Sequence, residues 1–263
     1  MVVEFEKAAD GVVNGDLPTV TQLVQEIPAL VQARSERPHH ATLLHYIAAN
    51  GVEEERQKSP RNAPEIARFL LKSGAAVDAL AEMYGGHETT MNMLVSSAHP
   101  AGAGVQEALV EILLDHGSAI EGPLMVALAH GYRGAAETLA RRGARTDSLA
   151  AAAGLGHTAD AVQFLPEASP VERHRAFALA AQHGHAEIVR LLLDAGEDPN
   201  RYNPSGFHGH STPLHQAALA GHKAVVELLV ARGARRDIED SVYHGTPLGW
   251  AKHAGRAELE RYL

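Results

Sequence analysis

The chain has 263 residues, 45% of them hydrophobic, with a formal net charge of -9 at pH 7, 17 histidines and no cysteine. Thiol and disulfide chemistry are excluded, no stripe of clustered Lys and Arg serves a phosphate backbone, and no apolar run approaches the ~20 residues that span a bilayer. The sequence therefore predicts no nucleic-acid partner and no membrane association, and residues 1–7 lack the basic-then-apolar start of an export signal, so the expected location is cytoplasmic.

The predicted elements, in chain order, are pairs of short helices. A first pair occupies residues 4–31 and turns at Gly15; a second, 38–74, turns at Gly51 and closes at Gly74. Residues 51–63 (GVEEERQKSPRNA) lengthen the connection inside that second pair, and residues 100–104 do the same in the third, 86–117, where Ala98 stands at the turn. Such insertions are either tolerated surface variation or the edge of a binding face. Pairs at 120–143 and 146–166 turn at Gly131 and Gly156, and a pair at 171–196 carries Gln182-His183-Gly184-His185 before an apolar second helix. The clearest pair, 209–233, carries most of the stretch TPLHQAALAGHKAVVELLVARGA from Thr212 to Ala234, and a last one at 243–263 contains Thr246-Pro247-Leu248-Gly249-Trp250. Val225, Leu228 and Leu229 stand at i, i+3 and i+4 and predict one apolar stripe, while paired alanines such as Ala217 and Ala218 let helices approach closely. Glycines 74, 117, 143, 196 and 233 follow helical patterns, where a residue at positive φ ends the helix.

The motif Thr212-Pro213-Leu214-His215-x-Ala217, the Gly221-His222 turn and the Gly233 stop resemble the ankyrin repeat, a unit of about 33 residues that opens T-P-L-H-x-A. Blocks such as ATLLHYIAANGVE also look similar to stand-alone bacterial ankyrin proteins. The resemblance implies an all-α solenoid of about eight helix-turn-helix units, read here as a single repeat domain over 1–263. Turn glycines 25 residues apart at Gly131 and Gly156, against 36 between Gly15 and Gly51, predict irregular or missing β-hairpin fingers in the middle units. The resemblance further implies that His157, His185, His215 and His222 tie loops together.

In that fold the inner face comes from the end of the first helix of each pair and from the fingers. Those positions hold His45, Tyr46, Asn50, Ser97, His130, Gln182, His183, Gln216, Trp250 and His253, and the fingers add Arg37, Tyr84, Arg201, Tyr202, His208 and His210. Amides, hydroxyls and imidazoles both donate and accept hydrogen bonds, so the row predicts recognition of a partner protein or a small polar molecule. The alternative is an enzyme without cofactor, in which the groove closes into a pocket and His183, His253, His130 or Tyr202 runs acid-base chemistry while Arg201 or Arg37 holds an anionic substrate. The His208-x-His210 pair has no third ligand at a recognised spacing, so no metal site is predicted.

Overall fold

Helix pairs follow one another through a computed structural model that describes residues 1–263. The first is α1 (Val2–Asn14) with α2 (Leu17–Glu26). In the second, a 3-10 segment over Leu43–Ala48 takes the place of a first α-helix and pairs with α3 (Ala63–Lys72). A two-stranded antiparallel hairpin, β1 (Leu80–Met83) with β2 (Gly86–Thr89), precedes α4 (Thr90–Val95), the short α5 (Ala98–Gly102) and α6 (Gln106–Asp115). Five further pairs are α7 (Pro123–Ala129) with α8 (Arg133–Arg141), α9 (Leu149–Leu155) with α10 (Thr158–Phe164), α11 (Pro170–His183) with α12 (Ala186–Asp194), α13 (Pro213–Ala220) with α14 (Lys223–Ala231), and α15 (Pro247–His253) with a 3-10 turn at Ala257–Leu259. The fold is all-α apart from the one hairpin, and no helix is long and apolar enough to cross a membrane.

Local chemistry sets these boundaries. Thr212 is extended, Pro213 occupies the first helical position with φ preset, and His215 takes the place that a Glu or Gln holds in a capping box. The Nδ1 of His215 accepts from the Thr212 N–H at 3.2 Å, and its Nε2–H donates to Gly245 O at 3.0 Å in the next finger. Thr42 and His45 repeat the device, with His45 donating to Ala79 O at 3.0 Å. The turn glycines adopt positive φ from 66° at Gly255 to 84° at Gly221, as the sequence requires.

Two compact units result, one of residues 1–127 and 134–144, the other of residues 128–133 and 145–263. The core of the second unit is a column of small residues, Ala152, Ala153, Ala180, Ala181, Ala217 and Ala218, flanked by Phe177, Ile188, Val189, Val225, Val226 and Leu229, all fully buried. Burying a side chain such as Phe177 contributes about 2–3 kcal/mol. Val225 and Leu229 lie in the core as the stripe predicts, but Val226 completes it, while Leu228 only packs against its edge. A second departure lies at residues 100–104, where the sequence suggests a lengthened loop and the chain forms α5 over Ala98–Gly102. Pro100 sits at its third position, where its missing N–H is one that the first turn of a helix leaves unpaired in any case.

Candidate functional site

The second unit carries a ladder of bonds that begin one residue after each turn glycine. His185 Nε2 donates to Gly154 O at 3.1 Å, His222 Nε2 to Gln182 O at 2.9 Å, and Arg256 Nε to Leu219 O at 3.2 Å. Each rung reaches the carbonyl two residues before the preceding turn glycine and packs over that glycine. A Cβ on Gly156 would lie 2.5 Å from the His185 ring, and one on Gly184 would lie 2.6 Å from Nδ1 of His222. These glycines are required for close approach as well as for φ.

The ladder breaks at His157. Its ring is exposed and lies 3.6 Å from Asp160, while Ala129 O, the carbonyl the pattern would assign to it, accepts instead from Gln182 Nε2 at 3.0 Å and from His208 Nε2 at 2.9 Å. His183 Nε2 donates to the neighbouring Leu128 O at 2.8 Å and stacks on His185 with ring centroids 6.3 Å apart. Around this break lies a cleft of about 450 Å³ walled by His130, Gly131, Arg133, Gln182, His183, His208, Gln216, Leu219, Ala220, His222 and Arg256.

Beside it runs a mostly apolar trough of about 600 Å³ formed by Leu219, Tyr243, Gly245, Gly249, Trp250 and His253. Asp240 fixes its far wall. This buried carboxylate accepts from the N–H groups of Val242 (3.0 Å), Tyr243 (2.6 Å) and Gly245 (2.8 Å) and from Trp250 Nε1 (2.9 Å). Burial raises its pKa, but those donors outweigh burial and hold the carboxyl well below the usual carboxylate range. His210 links the two depressions, packing against His208, Tyr243 and Trp250 with centroids 5.7 to 6.1 Å apart.

Burial lowers the pKa of His183 to about 4 and also lowers those of His130, His208 and His222, so these imidazoles are neutral at pH 7. Bonds from Nε2–H to backbone carbonyls at His183, His208 and His222 oppose the shift without reversing it.

The structure divides the residues that the sequence singles out. His130, Gln182, His183, His208 and Gln216 meet in the cleft, and Trp250 and His253 in the trough. Gln216 is nevertheless 3% exposed, with its amide donating to Ser211 Oγ, so it is more wall than contact. Tyr202 is not with them: its hydroxyl donates to Glu239 O at 2.6 Å beside a separate shallow polar depression, and the exposed Arg201 lines none of the three. The enclosed pocket of His183, His253, Tyr202 and Arg201 does not form. His208 adopts φ 59°, so the His208-x-His210 pair does not have the extended backbone that would project both imidazoles to one side.

In the first unit, His45 and Tyr46 are fully buried rather than surface groups. His45 is committed to capping, and burial lowers its pKa to about 4 and raises that of Tyr46 to about 12. Tyr46 packs under Phe5, His39 and Arg56 because the Leu43–Ala48 segment is a 3-10 helix, whose tighter winding alters which side chains face outward. Ser97 is likewise buried. Arg37 pairs with Glu53 at 2.8 Å, Asn50 donates to Ser96 Oγ at 2.9 Å, and the exposed Tyr84 donates to the Asn50 amide oxygen.

Arg133, Arg256 and Leu219 line the two depressions without having been singled out by sequence reasoning. Arg256 carried a usable signal, since it follows the turn glycine at the position of His185 and His222. Leu219 gave none.

Tandem helix pairs tied by capping and turn side chains define a helical repeat protein. The family description "Ankyrin repeats (3 copies)" matches residues 148–240 and 177–263, and the chain belongs to the ankyrin-repeat family. It is 36% identical over 98 residues to an ankyrin repeat and SAM domain-containing protein 6 of Mus musculus, covering 37% of this chain and 11% of that one. It is 28% identical over 217 residues to the ankyrin repeat and KH domain-containing protein mask-1 of Caenorhabditis elegans (76% and 8%), and 40% identical over 72 residues to protein PhlB of Serratia liquefaciens (27% and 30%). The chain spans 11% or less of the length of the first two of these relatives. Ankyrin repeats bind protein partners.

Proposed function

We propose that this protein is a binding module that grips a partner protein through the trough and cleft of its second unit. One observation carries the reading. Trp250, the only tryptophan, and Tyr243, which is 75% exposed, form an apolar anchor site directly beside a wall of amide and imidazole groups. Tryptophan and tyrosine dominate the energetics of protein interfaces because they bury a large area at small entropic cost, and polar groups around them fix register. A small polar ligand suits the cleft but leaves the apolar trough unused. Acid-base catalysis has less support, since His183 donates its Nε2–H to a backbone carbonyl and its low pKa makes it a weak base.

The test uses substitutions at exposed positions. Tyr243→Glu and His253→Glu place charge in the trough at side chains that contribute little to the core. A partner recovered on the immobilised wild-type chain is expected to be lost with both variants while their circular dichroism and melting temperatures match the parent. Equal recovery on the wild type and on both folded variants would remove this face from consideration.

A further inference from the structure

Leu219 belongs to the wall of both the trough and the cleft, so the two form one surface whose chemistry changes along its length. At the trough end the groups are Trp250, Tyr243 and Leu219. At the cleft end they are the guanidinium-bearing Arg133 and Arg256 with the imidazoles of His130, His183, His208 and His222, and no Asp or Glu lines it. On a chain of net charge -9, a cleft lined by cations and no carboxylate is a local inversion of sign.

Arg256 is the informative group. Its Nε–H is held by Leu219 O, which fixes the plane of the guanidinium over Gly221, and it takes part in no ion pair. Guanidinium has five N–H donors, so the terminal nitrogens of Arg256 keep theirs in a fork that matches a carboxylate. Three of the four histidines are not competitors for that role, because the Nε2–H groups of His183, His208 and His222 are already donated to carbonyls, and His130 is kept neutral by burial.

We propose that this surface receives an extended segment of a partner protein that presents an Asp or Glu carboxylate to Arg256 and lays a neighbouring apolar side chain on Trp250. The proposal rests on the partner-binding reading above and adds the chemistry of the segment. A polyanion such as nucleic acid fits poorly: it needs a row of cations and would meet an apolar trough next to them, on a protein of net negative charge. An acidic side chain beside an aromatic or aliphatic one uses both ends.

The experiment is selection of a linear random-peptide display library on the full chain, followed by titration of tryptophan-free synthetic versions of the enriched peptides. Trp250 is the only tryptophan, so its emission reports occupancy of the trough directly. Enriched sequences are expected to pair Asp or Glu with Phe, Leu or Ile, and to shift Trp250 emission. Replacing the peptide's acid by its amide, or Arg256 by Glu, is expected to weaken binding about tenfold or more, with Arg256→Lys, which keeps the charge but not the fork, losing less than Arg256→Glu. Arg256→Gln, which removes the charge without reversing it, gives the same reading should Arg256→Glu fail to fold. Peptides that shift Trp250 emission but show no acidic bias and ignore the loss of charge at Arg256 would overturn the proposal and leave the partner-binding reading standing. Peptides that bind without moving Trp250 emission would overturn both.

Discussion

Gly184 and His222 occupy space that neither could keep if the glycine carried a side chain. At Gly184 an added methyl meets two penalties, a φ of 83° and a contact of 2.6 Å with the imidazole, whereas at Gly196 a similar φ of 93° opens onto empty space. The left-handed backbone costs an alanine about 1 kcal/mol, so Gly196→Ala is expected to lose about that much. Gly184→Ala is expected to lose at least ~1 kcal/mol more, and His222→Ala to recover part of the excess in the double variant, as measured by urea denaturation. Equal losses at the two glycines would mean that the imidazole moves aside freely. Asp240 poses a different residue-scale question, because it satisfies four donors at once and one of them is the Trp250 indole. Its replacement by alanine strands four partly buried N–H groups, and Asp240→Ala is expected to cost about 2 kcal/mol and to shift Trp250 emission to the red as the trough wall loosens. An unchanged emission maximum would show that the indole is held by packing alone.

At the scale of elements, the most legible feature in the sequence is the Thr-Pro-Leu-His opening, because its bonds are local: Thr212, Pro213 and His215 lie within one turn and build the cap among themselves. The helix stops are legible for the same reason. Where the opening departs from its pattern, consequences follow that can be measured. The last repeat has Gly249 at the position of His215, within α15 and with nothing nearer to an added Cβ than Thr246 Oγ1 at 3.7 Å. Gly249→Ala is therefore expected to stabilise the protein by about 0.5–1 kcal/mol, through the lower entropy of the unfolded chain, as a raised melting temperature. A fall instead would reveal a contact at α15 that the geometry does not contain. The second repeat was less legible. Its Tyr46 reads as a groove residue on helical spacing, and the 3-10 winding of Leu43–Ala48 turns it into the core beneath Arg56. That buried guanidinium is held by Glu6 at 2.6 Å and Asp10 at 2.8 Å, carboxylates more than forty residues away that no local pattern identifies.

For the whole molecule the histidines govern the response to acid. His45 in one unit and His183 in the other have folded pKa values of about 4, against about 6.5 when unfolded, in both cases because burial disfavours the charged ring. Between those values the unfolded chain binds protons that the folded chain refuses, so stability is full above pH ~6.5 and is lost as pH falls toward 4. By pH 5 the loss is about 2 kcal/mol for each of the two, and His185, His208, His215 and His222, lowered in the same direction, add to it. Melting temperatures are expected to drop between pH 7.5 and pH 5, and less steeply in His45→Gln and His183→Gln; a flat profile would contradict the burial of these rings. By itself the sequence determined the helix pairs, their caps and stops, the exclusion of thiol chemistry and the family, because each depends on residues a few positions apart or on composition. Tertiary structure decided which polar residues share a surface. His183 and His208 meet at the carbonyls of Leu128 and Ala129, Arg256 is aimed by Leu219, and Trp250 by Asp240. Those meetings depend on how repeats of unequal length stack, and repeat length fixes the register of one backbone against the next only once the chain is folded.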